Sequence, residues 1–448
     1  MFKKGVLLLI MIMVLSSVYS QKSYTLEQCI RQALATNIDM QLNNVNTKLV
    51  KERLKQRYRN LLPTIGAGTN YSIRYGRSVD PNTNTISNTD FFSNNYSIDA
   101  SLVVFQGFLK QYQISAAKWN KLSALAEGEQ QKFSLIQQLL PVFYEVLYTQ
   151  DLLKLTEEEL VIAEKLFKVT NKKFELGQQS QAAVFDVEAD VQAAHLNVVK
   201  AKNALEKVSL NLKQLMNIEK TSITFINDFE TKGISNIVTQ NERKSRYVKA
   251  KEVSPILKQL SFSKNAFQKQ LHASQSELYP LVSVFGGYST GYFETNIDQV
   301  TGNTIGFQKQ IQDNASQYVG VSLQISVFNQ WNTRSKIKQQ RLDLEQRELV
   351  IKQNEQELYQ FMLQLEQEDK ALRNEFNWST KKQKAVMLSY KTSEKKFQHG
   401  LIALLDVLQV KNELFKSKVE NIRVQQQLQM NQKMMDLYTG KFTKLYQF

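Results

Sequence analysis

Apolar residues along this chain follow two rhythms, and each rhythm occurs twice. Leu26, Ile30, Leu34, Ile38, Leu42, Val45 and Leu49 step by three or four, which predicts a helix over about Thr25 to Arg59. Pro63 blocks its continuation and the period drops to two. Ile65, Ala67, Thr69, Tyr71, Ile73 and Tyr75 then fall on one face, with Thr64, Gly66, Gly68, Asn70, Ser72 and Arg74 on the other. This predicts a strand over about 64–75 with one apolar and one polar side. A polar loop over 76–94 leads to a second such strand, about 95–104, in which Tyr96, Ile98, Ala100, Leu102 and Val104 oppose Ser97, Asp99 and Ser101. The pair recurs as strands over about 281–292 and 318–327, carrying Val282, Val284, Gly286, Tyr288 and Tyr292, then Val319, Val321, Leu323, Ile325 and Val327. A second polar loop, 293–317, joins these two.

Between and after the strands the pattern is helical. Phe108 to Phe174 reads as one helical stretch, and 67 residues at that rise span roughly 100 Å. A turn near Gly177 follows. Val184, Val187, Val191, Ala194, Val198, Ala201, Leu205, Val208, Leu212 and Leu215 then alternate in steps of three and four, the narrow stripe of helices packed side by side. The matching hairpin turns near Gly400 and ends near Tyr438. Lys172-Lys173-Phe174-Glu175-Leu176-Gly177 returns as Lys395-Lys396-Phe397-Gln398-His399-Gly400, an offset of 223. Nearer the start of each half the offset is 217, pairing Pro63 with Pro280 and Tyr71 with Tyr288. Two structural repeats are therefore predicted, 21–216 and 254–440, with a short linking segment at 217–253 and a tail at 441–448.

Composition narrows the function classes. Lys3 and Lys4, an apolar run from Val6 to Leu15 and the small residues of Val18-Tyr19-Ser20 predict a secretory signal peptide over 1–20. That run is too short to cross a bilayer, and no later run approaches the roughly 18 apolar residues a membrane helix needs. The single cysteine, Cys29, forms no intrachain disulfide and reads as a small buried residue. The net charge of +15 comes from Lys and Arg interspersed with Glu, Gln and Asn along helices, which reads as solvated faces; no nucleic-acid partner is predicted. His195, His272 and His399 are far apart, and no glycine-rich phosphate loop occurs. No catalytic, cofactor or metal site is predicted.

Each strand has the length of a tilted strand crossing a bilayer, and its alternation suits a wall between lipid and water. The same alternation also suits a sandwich strand with one face on a core. Only four strands are predicted, however, and no second sheet. An open four-stranded sheet cannot sit in lipid, so several chains must share one barrel.

At this level the chain resembles the TolC-like outer-membrane efflux family, over nearly its whole length. The resemblance rests on Tyr24-Thr25-Leu26-Glu27-Gln28, on Leu62-Pro63 and Tyr279-Pro280 before the strands, and on Val104-Phe105-Gln106-Gly107 and Val327-Phe328-Asn329 after them. Phe397-Gln398-His399-Gly400 with Leu405-Asp406-Val407-Leu408 is similar to the family's helical-tip motif. The resemblance implies a mainly α protein with a small β part. It implies a homotrimer whose 12-stranded β-barrel continues into an α-helical periplasmic tunnel. It also implies a passive outer-membrane duct for small toxic compounds, docked to a periplasmic adaptor and an inner-membrane transporter. The alternatives are the same duct serving polypeptide (type I) secretion or metal-ion efflux, and, in another class, a periplasmic coiled-coil scaffold or adhesin.

The family's narrow entrance is lined by carboxylates one helical turn apart. Asp406 matches the first position in the second repeat, where Gln409 holds the second; in the first repeat Ala183 and Asp186 stand there instead. Asp186 and Asp406 thus either ring the pore or cap their helices. Phe397 and Ile402 occupy positions where the family's inter-chain latch has polar partners, so an apolar latch becomes the alternative. Gly177 and Gly400 allow the tip turns where an adaptor would dock. Tyr71, Tyr75, Tyr288 and Tyr292 either mark a membrane interface or pack on the sheet.

Overall fold

The computed structural model describes residues 22–79, 84–88, 90–219, 223–226 and 240–442. The predicted signal peptide and the last residues of the tail lie outside the described residues. In chain order the elements are β1 (Lys22–Tyr24), α1 (Leu26–Thr36), α2 (Ile38–Arg59), β2 (Thr64–Arg74), β3 (Ser78–Val79), β4 (Ile86–Ser87), β5 (Phe91–Phe105), α3 (Leu109–Glu175) and α4 (Gln181–Leu215). Then follow β6 (Ile223–Phe225), α5 (Gln240–Val253), α6 (Pro255–Ser276), β7 (Leu281–Phe293), α7 (Phe307–Asp313), β8 (Ser316–Gln324), α8 (Asn332–Gln398) and α9 (Leu404–Tyr438).

The repeat is written into the backbone. Helices α3 and α8 are both 67 residues long, α4 and α9 both 35, and each pair is displaced by the offset seen in the sequence. Left-handed residues recur at the same spacing: Gly107 with Gln330, Phe108 with Trp331, Gly177 with Gly400, and Asn217 with Gly440. Both tip turns close in the same way. Gly177 N–H donates to Phe174 O at 2.8 Å and Gln178 N–H to Lys173 O at 2.7 Å; Gly400 and Leu401 repeat these bonds to Phe397 and Lys396 at 2.9 and 2.8 Å. This is the helix stop that needs positive φ at its turn residue, hence glycine.

The predicted first helix is two helices. Asn37 is extended (ψ 132°) and serves both ends: its N–H donates to Ala33 O at 2.9 Å, and its Oδ1 accepts from Asp39 N–H at 2.8 Å. Apolar spacing runs straight through this break because the two pieces serve different ends. α1 buries Cys29, Ile30 and Ala33, whereas α2 buries no residue and leaves Ile38, Leu42, Val45 and Leu49 exposed.

The chain divides into two compact units, and each repeat contributes to both. One unit comprises 1–44, 127–257 and 353–448. Its core is a cluster around Ile30, Leu139, Leu140, Phe143, Tyr144, Leu212, Met216 and Leu437. The parallel pair β1 and β6 closes on it through Tyr24 and Phe225, and Thr36 Oγ1 donates to Met216 O at 2.6 Å. Burial pushes the Cys29 thiol up to about 12, so it stays a protonated packing residue.

The other unit, 45–126 and 258–352, holds an antiparallel sheet in the order β2-β5-β7-β8. Register decides which residues share a face. Ala67 lies opposite Ile98 and Ile98 opposite Tyr288; Ala100 lies opposite Gly286 and Gly286 opposite Val319. The apolar positions of all four strands therefore form one continuous face. On the other face Tyr318 donates its hydroxyl to Asp99 Oδ1 at 2.5 Å, across Gly287. β5 begins earlier than the alternation suggests because Phe91 is buried, and pairing of β8 stops at Gln324, opposite the first residue of β7. Short elements fold over the loop end: Gln310, fully buried, bonds Phe293 N and O at 2.9 and 3.0 Å and Ile305 O at 2.7 Å.

One glycine tests the junction between strand and helix. At Gly107 (φ +55°) an added methyl carbon would lie 2.7 Å from Tyr279 Cδ2 and 2.9 Å from Ser276 O, whereas at Gly66 nothing lies within 4 Å. Gly107→Ala is expected to cost about 1–3 kcal/mol and Gly66→Ala well under about 1 kcal/mol, read by thermal unfolding in detergent. Equal melting temperatures would show that the junction relaxes freely.

Candidate functional site

The two helical tips meet in one apolar cluster. Val187 of α4, Tyr390 and Phe397 of α8, and Leu404, Val407 and Leu414 of α9 are buried together with Leu166 of α3; Ile402 and Val410 pack at its rim. Phe397 is only 1% exposed. Lys173 covers it, with Nζ 4.5 Å from the ring centre and bonded to Phe397 O at 2.6 Å. Phe397 therefore offers no surface to a neighbouring copy, while its repeat mate Phe174 is exposed. The repeats share a backbone but not a packing face.

The tip carboxylates differ in the same way. Asp406 Oδ2 accepts from Ala403 N–H at 3.3 Å and so caps α9; at the equivalent start of α4 it is Ser180 Oγ that accepts, from Ala183 N–H at 3.2 Å. Each repeat keeps one half of a capping box. Asp186 and Gln409, equivalent positions one turn further on, are exposed, as is Asp406. Among the described residues no hydrogen bond or ion pair joins Asp186 to Asp406 within the chain. Gly177 and Gly400 are exposed at the extreme end of their hairpins.

About two turns into α9 lies a feature the sequence reading missed. Lys411 is 2% exposed and holds two carboxylates, Glu159 of α3 at 3.0 Å and Asp190 of α4. Burial pushes the Glu159 carboxyl above the usual range, and Lys411 partly counters it. Burial also raises the Tyr390 hydroxyl, helped by the nearby Glu394, Glu159 and Asp190. The triad ties one hairpin to the other. In the second repeat Lys382 stands where the first has Glu159, and it pairs with Glu413 at 2.8 Å in an exposed position. Aligning the two repeats in sequence exposes this exchange of charge.

The sheet is the second functional surface. Its apolar face is open: Val319 is 86% exposed, and Ile65, Ile73, Ile98, Val321 and Leu323 are all more than half exposed. A helix long and apolar enough to cross a membrane does not occur among the described residues. Near the loop end Tyr71 packs on Phe92 at 5.2 Å, Phe92 on Tyr292 at 6.0 Å and Tyr292 on Phe307 at 5.7 Å. Two of the predicted tyrosines thus join an aromatic row on the apolar side. Tyr75 lies past the end of β2, exposed, and Tyr288 sits four residues nearer the helices, beside Ile98.

The family model for outer membrane efflux proteins matches residues 29–217 and 247–441. The chain belongs to the outer membrane efflux protein family. Its place is accordingly the outer membrane, and its fold is that of the family's TolC-like channels. It is similar to the outer membrane protein TolC of Vibrio cholerae, 23% identical over 46% of this chain and 44% of that one. It is also similar to toxin and drug export protein A of Aggregatibacter actinomycetemcomitans, 21% identical over 70% and 63% of the two chains. The matches thus span about half to two-thirds of those relatives' lengths. Among solved structures, the channel CusC superposes with a TM-score of 0.77 at 12% identity, covering 94% of this chain and 95% of the other.

Lys411→Met is expected to destabilise the paired hairpins by about 3–5 kcal/mol at neutral pH, because two carboxylates lose their buried partner. The raised folded-state pKa of Glu159 means that its contribution to stability is present at low pH and lost as pH rises. The deficit is therefore expected to shrink on acidification. Denaturant unfolding across a pH series measures it, and a pH-independent deficit would contradict the electrostatic cause.

Proposed function

We propose that this chain is one third of a passive exit duct. Three copies contribute four strands each to a 12-stranded barrel, and their long helices continue it as a tunnel in the periplasm. The observation that supports this best is the sheet, with β2 and β8 as its outer strands and its apolar face uncovered. Lipid tolerates the uncovered face but no open edge, so each copy completes its neighbour. The polar loops 76–94 and 293–317 face outward. The tips at Gly177 and Gly400 face a periplasmic adaptor, and an inner-membrane transporter supplies the energy.

The cargo is small toxic compounds. A polypeptide cargo is the second reading; the Aggregatibacter relative is a toxin and drug export protein. The tip residues Asp186 and Asp406, with Gln409 at the position equivalent to Asp186, line the entrance. Six carboxylates in a trimer attract cations, and hard multivalent cations prefer such oxygen ligands.

Planar-bilayer recording of the reconstituted oligomer tests the entrance. Multivalent cations are expected to block conductance of the wild type, and Asp186→Asn/Asp406→Asn to abolish the block while assembly is unchanged. An unchanged block would move the constriction away from these residues. Deletion of the gene is expected to sensitise cells to small toxic compounds; loss of a secreted polypeptide without such sensitivity would favour the second reading.

A further inference from the structure

Positive charge is concentrated in one part of the chain. Segments 45–63, 106–126, 258–280 and 325–352, the helical part of the second unit with its junctions to the sheet, carry eighteen Lys or Arg against five Asp or Glu. The rest of the chain after residue 20 carries thirty-seven of each sign. All of the excess beyond residue 20 therefore sits in helices joined directly to the strands.

The foot of the sheet shows what it faces. Phe105 pairs with Val282 after a bulge and so lies on the apolar face, and Phe108 packs edge-on against it at 5.7 Å. Beyond β8, Val327, Phe328 and Trp331 are each more than half exposed. Arg334 lies over the Trp331 ring at 4.7 Å. Arg334, Lys338 and Arg341 are spaced by four and three, which puts them on one face of α8, and Trp331 stands just before the helix with its ring under Arg334. Arg334, Lys338 and Arg341 are exposed and have no carboxylate partner among the described residues. Lys336, on a different face, is ion-paired with Glu277 at 2.5 Å. An indole with an apolar strand end above it and unpaired cations below suits the boundary of a lipid leaflet.

We propose that the face formed by Trp331, Arg334, Lys338 and Arg341 binds the phosphate headgroups of anionic phospholipid in the leaflet that meets the foot of the sheet. This rests on the membrane reading of the apolar sheet face. A headgroup layer extends about 5–8 Å beyond the hydrocarbon. Arg334 lies within it and offers a planar fork matched to phosphate. Lys338, about 6 Å further along the helix axis, reaches it by extending its side chain upward. Arg341 is at the limit of reach and contributes least.

The test uses the full-length oligomer in nanodiscs of phosphatidylcholine containing a minority of phosphatidylglycerol. Native mass spectrometry after release counts the lipids retained. The wild type is expected to retain phosphatidylglycerol preferentially, and Arg334→Gln/Lys338→Gln to lose that preference about tenfold or more. Lys381→Gln, at a similar Trp378–Lys381 pair (4.5 Å) in the other unit, is expected to keep it. Insertion without preference, or a preference that survives the double substitution, overturns this proposal alone. Failure to insert overturns the membrane reading with it. A cysteine at position 338 that crosslinks neighbouring copies would show that a second copy covers this face, which also overturns the proposal.

Discussion

An antiparallel sheet of four strands has two edges, and here neither edge has a partner among the described residues. Its register also gathers the alternating apolar positions, among them Ile65, Ile98, Val284, Tyr288, Val319 and Val321, onto one uncovered face. These two facts define what the molecule can be. In water the uncovered face would drive association, and in lipid the unpaired edges would be intolerable. The proposed closure among copies, with the apolar face outward in a bilayer, satisfies both. Helices α2, α3 and α6 each begin or end within a few residues of a strand.

The internal repeat supplies the material for this economically, but the two copies have diverged in how they use it. Phe397 is sealed inside the tip cluster while Phe174 is exposed. Ser180 caps one tip helix and Asp406 the other. A buried lysine holds two carboxylates in one place, and at two of the three equivalent positions, Glu188 and Lys382, the charge is exchanged and solvated. Equal hairpins would pack identically around a common axis. Unequal ones contribute differently to the shared cluster, which takes more of its buried residues from the second hairpin.

Much of this was legible in the chain itself. Period-two and heptad patterns located the strands and hairpins, since both depend on local spacing. The break at Asn37 was not legible, because apolar spacing continues through it and only the asparagine's double capping role ends the first helix. The triad at Lys411 was equally hidden. Lys411 lies 221 or more residues along the chain from each of its two partners, and nothing in local periodicity marks a lysine as buried. Phe397 was placed at the entrance from its position in a motif, yet burial decides its role, and burial depends on which hairpin face the cluster selects.

The closure of the sheet is tested most directly by crosslinking its two edges. Cysteines stepped along β2 at Gly66, Gly68 and Asn70, each combined with one along β8 at Gly320, Ser322 or Gln324, probe the contact in outer membranes; the buried Cys29 stays silent. One register of pairs is expected to give covalent trimers and no larger species. Crosslinking within single chains only, or a ladder extending beyond trimers, would contradict a closed barrel shared by three copies.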